Sequence, residues 1–159
     1  MKVNRIISGG QTGVDRMGLD FAIENGIAHG GWCPAGRLAE DGKVPDEYQL
    51  KECPSDDYRF RTWLNVIDSD ATVVFTGVEK LTGGSKHTYD AAVAACKPVL
   101  HIHVRMGADN AAEQLLEFLT LLPVETLNVA GPRASKLWGN LLRHFVFEVL
   151  GRVFSNSAI

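Results

Sequence analysis

The chain has 159 residues, a length that predicts one domain with room for a hydrophobic core. Its 45% hydrophobic residues and formal net charge of −3 are typical of a globular protein without the basic field that nucleic acid requires. No apolar run is long enough to span a bilayer, residues 1–5 lack a signal-peptide core, and the three cysteines form no C-x-x-C pair. We therefore expect a cytoplasmic protein whose partner is neither nucleic acid nor a membrane.

Apolar runs alternate with helical patterns along the chain, which predicts βαβ units around a sheet. Strands are predicted at 3–7, 28–32, 71–76, 98–104 and 125–129, and helices at 14–24, 58–69, 88–95, 110–121 and 134–154. The expected fold class is α/β, a Rossmann-like three-layer sandwich with a mainly parallel five-stranded sheet, in one ligand-binding domain over 1–159. A flavodoxin-like strand order, 2-1-3-4-5, would place the ends of the first and third strands side by side.

A glycine-rich loop, residues 8–16, lies between the first predicted strand and the first predicted helix. Gly9, Gly10 and Gly13 allow positive φ and a close approach of a ligand to the backbone. The amides of such a turn, together with the positive end of the helix dipole, form an anion site, most often for phosphate. Its spacing matches neither the P-loop nor the dinucleotide-binding pattern, so ordinary ATPase and dehydrogenase functions are disfavoured.

The segment 34–57 is too long for a simple βα connection, and loops of that length in compact domains are usually functional or disordered. It contains Arg37, which suits phosphate recognition, and apolar residues that predict packing against the domain. Glu40 and Asp41 are the best acid–base candidates, although adjacent residues rarely act as a matched pair. The segment is interpreted as a binding lid whose carboxylates position the ligand or orient Arg37.

The second predicted helix carries Arg61, Asn65 and Asp68 on one face, at four- and three-residue spacing. Two interpretations are open. The three side chains could reach the ligand site as a polar row, or Arg61 and Asn65 could bridge Asp68 at the surface.

A second glycine-rich loop, residues 76–88, follows the third predicted strand. Both loops should meet at the carboxyl edge of the sheet, where they would form paired phosphate cradles. The predicted ligand-binding residues are Gly9, Gly10, Gln11, Thr12, Gly13, Asp15, Arg16, Arg37, Gly77, Gly83, Gly84, Ser85, Lys86 and Thr88. For Gln11, Thr12 and Ser85 the alternative is local turn bonding, and for Arg16 and Arg37 it is an exposed surface role.

Histidines show no metal-ligand spacing, and no protein metal site is predicted. His101 and His103 alternate on one face of a predicted strand without an evident third ligand. His87 lies in the second glycine-rich loop and could contact an anion.

The last predicted helix carries more apolar surface than one face against a sheet requires. The residues concerned are Trp138, Leu142, Phe145, Phe147 and Phe154. Because large apolar patches on small domains usually mark partners, we expect a homo-oligomer, either a dimer or a tetramer. The alternative is a broad stripe that is fully buried within one subunit.

Several separated motifs resemble the family of molybdenum carrier proteins. They lie, in order, at residues 9–16, 31–34, 36–37, 39–42 with Pro45, 61–62, 65–66, 68–72, 76–77 and 83–85, so that the likeness covers about residues 5–100. The resemblance implies a homo-oligomeric, Rossmann-like carrier whose glycine-rich loops bind the phosphate of the molybdenum cofactor, a phosphorylated pterin. The family also looks like a permuted relative of the lysine-decarboxylase-like nucleotide-binding proteins, some of which release cytokinin bases from their ribotides.

Two functions from different classes follow. The first is binding of a phosphorylated pterin or nucleotide-like ligand, with the molybdenum cofactor as cargo. The alternative is a nucleotide-processing enzyme, similar to the nucleoside monophosphate phosphoribohydrolases. In those relatives the second loop reads P-G-G-x-G-T-x-x-E, whereas residues 83–91 lack the later glycine and the glutamate. The resemblance therefore favours binding over catalysis.

Overall fold

A five-stranded sheet organises the computed structural model, which describes residues 1–136 and 140–155. The strands of this described part are β1 (Arg5–Ile7), β2 (Ala28–Gly30), β3 (Trp32–Cys33), β4 (Leu38–Ala39), β5 (Gly42–Lys43), β6 (Lys51–Glu52), β7 (Ala71–Thr76), β8 (Val99–His103) and β9 (Thr126–Ala130). The main sheet contains β1, β2, β7, β8 and β9, and each of its strand pairs is parallel. The predicted α/β class with a mainly parallel five-stranded sheet is confirmed.

The helices are α1 (Val14–Glu24), α2 (Tyr58–Ile67), α3 (Gly83–Ala94), α4 (Ala108–Leu121) and α5 (Leu141–Ser155). The bounds of α1 agree with the prediction. Helix α3 begins five residues before the predicted start at 88, because Thr82 has the extended backbone of an N-cap and the glycines form the first turn. Helix α5 begins at Leu141, after a short 3₁₀ turn over Ala134–Lys136. None of the described helices has the length and apolar character needed to cross a membrane.

The strand order is β2-β1-β9-β7-β8, so the predicted order 2-1-3-4-5 is wrong. Strand β9, the last in the chain, lies between β1 and β7, with Ile6 opposite Leu127 and Thr72 opposite Asn128. The apolar pattern of a segment predicts that it is a strand, but not which strands it pairs with. The loop that follows β9 therefore lies between the two glycine-rich loops.

The two faces of the sheet differ in chemistry. Helices α1, α4 and α5 cover one face, and its core includes Ile6, Phe75 and Leu127. Side chains alternate along a strand. Thr72 and Asn128 consequently point to the other face, which α2 and α3 cover. This second face combines a small apolar cluster with buried polar side chains, so it can present hydrogen-bonding groups to a ligand.

Most of the predicted apolar surplus of α5 packs against the rest of the chain. Leu142 and Phe145 lie in the main core, and the rings of Phe147 and Phe154 lie 6.0 and 5.5 Å from the ring of Phe21. Trp138 lies outside the described residues, as does Leu137. A homo-oligomer stays a prediction: Leu142 and Phe145 are buried and do not argue for one, whereas Phe147 and Phe154 are half-buried.

The segment 34–57 packs against the domain, as its apolar residues predicted. Val44, Tyr48 and Leu50 form a small core with Leu19 and Cys33. Two short ladders add backbone pairing, β3 with β6 and β4 with β5. No residue of the segment lines the cleft at the carboxyl edge of the main sheet, so the structure differs from the interpretation of a lid.

Candidate functional site

A cleft of about 620 Å³ opens at the carboxyl edge of the main sheet, on the face covered by α2 and α3. Its floor includes Thr76 at the end of β7 and Asn128 and Ala130 in β9. One wall is α2, a second is the segment 76–88, and a third is the loop 131–136 that follows β9. This is the edge at which open α/β sheets bind their ligands.

The first turn of α3 presents open backbone to the cleft. Gly83, Gly84 and Ser85 line it, and a β-carbon placed on Gly84 would meet no atom within 4 Å. Thr82, the N-cap, makes no side-chain capping bond. The first amides of a helix lack intrahelical partners and carry the positive end of its dipole. This turn therefore offers amide donors to an anion.

Cationic side chains dominate the cleft although the net charge of the chain is −3. The lysines and arginines that line it are Arg59, Arg61, Lys80, Arg133 and Lys136, and His87 lies beside them. Asp15 is the only carboxylate that lines the cleft among the residues that the structure describes. A concave site lined by one sign of charge raises the local concentration of the opposite ion. The arrangement suits an anionic ligand.

The first glycine-rich loop is closed by the protein itself. Asp15 Oδ2 accepts a hydrogen bond from Arg61 Nη1 at 2.7 Å and from the backbone N–H of Gln11 at 3.3 Å. The Thr12 amide donates to Gln11 Oε1, and the Val14 amide donates to the carbonyl of the proline at 132. Three amides of the loop are thus bonded to protein acceptors. Of the two predicted cradles, the first is thus partly occupied by protein groups, whereas the α3 turn is open at Gly84.

The glycines of the first loop make room for protein neighbours. A β-carbon on Gly9 would lie 1.3 Å from Nη1 of Arg61, and one on Gly13, at φ +83°, would lie 2.3 Å from the carbonyl oxygen of Pro132. Gly10, at φ +74°, faces Cδ1 of Leu50 at 2.5 Å. A valine at Gly10 would therefore collide with the small core of segment 34–57.

Glu40 and Asp41 lie outside the cleft, where they form hydrogen bonds that hold neighbouring segments together. Glu40 accepts hydrogen bonds from the hydroxyl and amide of Ser135, at 2.6 and 3.0 Å, and from the hydroxyl of Thr12. The bonds from Ser135 and Thr12 hold the pKa of Glu40 below its ordinary value. Asp41 forms a two-bond pair with Arg16, at 2.6 and 2.8 Å, which lowers the pKa of the Asp41 carboxyl. Neither carboxylate lines the cleft, and neither does Arg16.

Arg37 also lies away from the cleft, and its guanidinium donates hydrogen bonds to backbone carbonyls. It donates to the carbonyls of Val44, Pro45, Tyr48 and Leu50 at 2.8–3.3 Å. Arg37 therefore stabilises the folded conformation of segment 34–57. Lys86, likewise predicted to bind the ligand, pairs with Asp90 on the exposed side of α3 and does not line the cleft.

We expect Arg37→Ala to lower the free energy of unfolding by about 3 kcal/mol, because several carbonyls of the packed segment would lose their donor. Urea denaturation measures the loss. The matched variant is Arg59→Ala, whose side chain is 75% exposed and lines the cleft. It should leave the unfolding midpoint within error and weaken anion binding instead. Equal stability of the two variants would contradict the structural role of Arg37.

Comparison with known proteins places the chain in a family. The model of the circularly permutated YpsA SLOG family matches residues 6–152. The chain belongs to this family. A crystal structure from Syntrophus aciditrophicus SB, of a protein named "Putative molybdenum carrier protein", is similar to it at 43% identity and a TM-score of 0.91. The match covers 96% of this chain and 95% of that one. No protein of the curated set matches.

Strand β9 is the last strand in the chain but lies at the centre of the main sheet. The loop after β9 brings Arg133 and Lys136 to the cleft, and sequence reasoning missed both. The sequence signal for this loop was Gly131, two residues after the end of the predicted strand 125–129. A β-carbon on Gly131 would lie 2.4 Å from the carbonyl oxygen of Phe75, which only a close approach of the two strand ends produces.

The polar row on α2 of this SLOG member divides between two roles. Arg61 and Asn65 line the cleft, as one interpretation predicted. Asn65 also holds β3, since its side chain accepts from the Trp32 amide at 2.8 Å and donates to the Trp32 carbonyl at 2.9 Å. Asp68 instead accepts the indole N–H of Trp32. Arg61 and Asn65 therefore do not bridge Asp68.

Histidines of the described residues form no metal site, and no group of His, Cys, Asp and Glu in that part of the chain could hold an ion. His101 Nε2 lies 2.6 Å from the hydroxyl of Thr76, which itself donates to the carbonyl of Val78. Nε2 is thus the donor, and burial together with His103 lowers the pKa of His101. His101 holds the start of segment 76–88 through its contact with Thr76 and does not line the cleft, whereas His87 does.

Proposed function

We propose that this chain binds a small phosphorylated ligand, with the phosphate at the first turn of α3. The observation that carries the proposal is the combination of an open helix N-terminus at Gly84 with five lysine and arginine side chains around one cleft. A phosphate accepts hydrogen bonds from helix amides and neutralises the cations beside them. In this proposal Ser85 and Thr88 support the turn, and Thr88 bonds the carbonyl of Gly84.

The ligand we favour is the phosphorylated pterin of the molybdenum cofactor, which the chain would carry as cargo. The name of the similar structure supports this choice, since the two chains share 43% identity. The cleft volume of about 620 Å³ falls within the range of small-molecule sites. Arg61 and Arg133 place their guanidinium carbons 5.7 and 5.9 Å from the ring centre of Tyr58. Flat groups at the rim of the cleft suit a planar heterocycle.

Hydrolysis of a nucleoside monophosphate is the second candidate, and one observation favours it. Asp15 is a carboxylate at the cleft, and glycosidic chemistry needs such a group. Its Oδ2 is engaged by Arg61 and by the Gln11 amide, while Glu40 and Asp41 are bonded elsewhere. We therefore expect no release of adenine when the protein is incubated with AMP, and chromatography of the products measures this.

The proposal is tested by calorimetric titration with two probes, molybdopterin released from a denatured molybdoenzyme under argon, and AMP. We expect at least one to bind, and Lys80→Ala to weaken that binding about threefold, because Lys80 is exposed and its contact with a phosphate is partly screened by solvent. Lys43→Ala removes an exposed lysine that does not line the cleft and should leave the affinity unchanged. Failure of both probes to bind at millimolar concentration would overturn the proposal.

A further inference from the structure

We infer that the Asp15–Arg61 ion pair makes the cleft selective for phosphate monoesters over diphosphates and pyrophosphate-linked ligands. The inference rests on the proposed function, because it concerns a second phosphate in the same cleft. It follows from the first glycine-rich loop, whose sequence has the character of an anion cradle but whose amides at Gln11, Thr12 and Val14 are bonded within the protein.

The carboxylate of Asp15 takes the position in that loop where a ligand oxygen would approach the backbone. A β-carbon on Gly9 would lie 2.9 Å from Oδ2 of Asp15, so the carboxylate rests directly on the glycine. The side chains of Asp15 and Arg61 are 7% and 12% exposed. The pair is therefore buried at the edge of the cleft, and its 2.7 Å contact is weakly screened by solvent.

A second phosphate at the first loop would meet a position filled by Asp15 and three amides that already have acceptors. The amides of Gln11, Thr12 and Val14 are bonded to protein acceptors. To bind there, the phosphate would have to separate a buried ion pair and leave the carboxylate without its partner, which is strongly unfavourable. The α3 turn has no such internal anion, since Gly84 faces open space. The cleft therefore offers one phosphate position.

A second phosphate that avoided the first loop would gain little elsewhere. Arg133 and Lys136 are both exposed, and contacts to exposed cations are weakened by solvent and salt. The negative charge of Asp15 would remain nearby. Each added phosphate thus brings a desolvation cost without a matching set of buried donors.

The test compares AMP with ADP by calorimetry on the intact chain, in wild type and in Asp15→Asn. We expect wild type to bind AMP about tenfold more tightly than ADP. Asp15→Asn keeps the shape of the side chain, removes its charge and releases Arg61, so the affinity for ADP should rise about tenfold while that for AMP changes less than threefold. Asp41→Asn is the matched control, because it breaks the pair with Arg16 outside the cleft and should keep the wild-type preference.

Each outcome decides the inference. Wild type that binds ADP as tightly as AMP would overturn it and leave the proposed function standing. The wild-type comparison is sufficient even if Asp15→Asn does not fold, a point that circular dichroism checks. A folded Asp15→Asn that keeps the preference for AMP would also overturn it. Absence of binding by both nucleotides would do the same, whereas the proposed function fails only if molybdopterin does not bind either.

Discussion

Gly84→Val is expected to reduce the affinity for a phosphorylated ligand about 100-fold while the protein stays folded. The valine side chain would enter the open space at the first turn of α3, where a phosphate is proposed to accept amide hydrogen bonds. Loss of two charge-assisted hydrogen bonds corresponds to roughly 3 kcal/mol, which is a factor of about 100 in the dissociation constant. Calorimetric titration with the probe that wild type binds measures the change.

The matched control for this variant is Gly151→Val. Gly151 is also helical, and a β-carbon on it would likewise meet no atom within 4 Å, but it lies in α5 and does not line the cleft. It shares the backbone change and should keep the wild-type affinity. Equal affinity of Gly84→Val and Gly151→Val would contradict a phosphate site at α3.

Gly131→Ala is expected to lower the free energy of unfolding by about 3 kcal/mol. Its β-carbon would lie 2.4 Å from the carbonyl oxygen of Phe75 and 2.7 Å from Cβ of Val14. Neither neighbour is the flexible end of a side chain, so β7, the first turn of α1 and the loop 131–136 would have to separate. Thermal unfolding should show a midpoint lowered by roughly 6–12 °C.

Gly84→Ala is the control for stability, because it adds the same methyl group at a glycine with open surroundings. It should unfold at the wild-type midpoint or slightly above it, since alanine favours helix more than glycine does. If Gly131→Ala were as stable as Gly84→Ala, the close approach of the three segments would not exist in solution.

The strands of the main sheet could be predicted because they leave strong local patterns. The segment Ala71–Thr76 is apolar along nearly its whole length, and the structure gives the same bounds, with all six residues buried. Helix α1 is equally local, since it begins after Gly13 and ends before Asn25 and Gly26. Pairing of strands distant in the chain leaves no such trace. The central position of β9 in the sheet could therefore not be predicted from the sequence.

The features of the candidate site also divide into those that the sequence predicts and those that it does not. The sequence located the α3 turn, because glycines after a buried strand are a local feature. It also selected Glu40, Arg37 and Arg16 on the chemistry of their side chains, but the structure uses them to hold loops together. An arginine or glutamate that binds a ligand cannot be told apart, from the sequence, from one that forms hydrogen bonds within the protein. Only their neighbours in space distinguish them.

The sequence by itself determined the α/β class, the positions of the main strands and a glycine-rich turn at Gly84, since each depends on neighbouring residues. Tertiary structure alone decided that β9 separates the two glycine-rich loops, that Asp15 and Arg61 close the first of them, and that Arg133 reaches the cleft. The physical reason is that backbone conformation and burial pattern are properties of short segments. Electrostatic pairing and the shape of a cleft arise between segments that folding brings together.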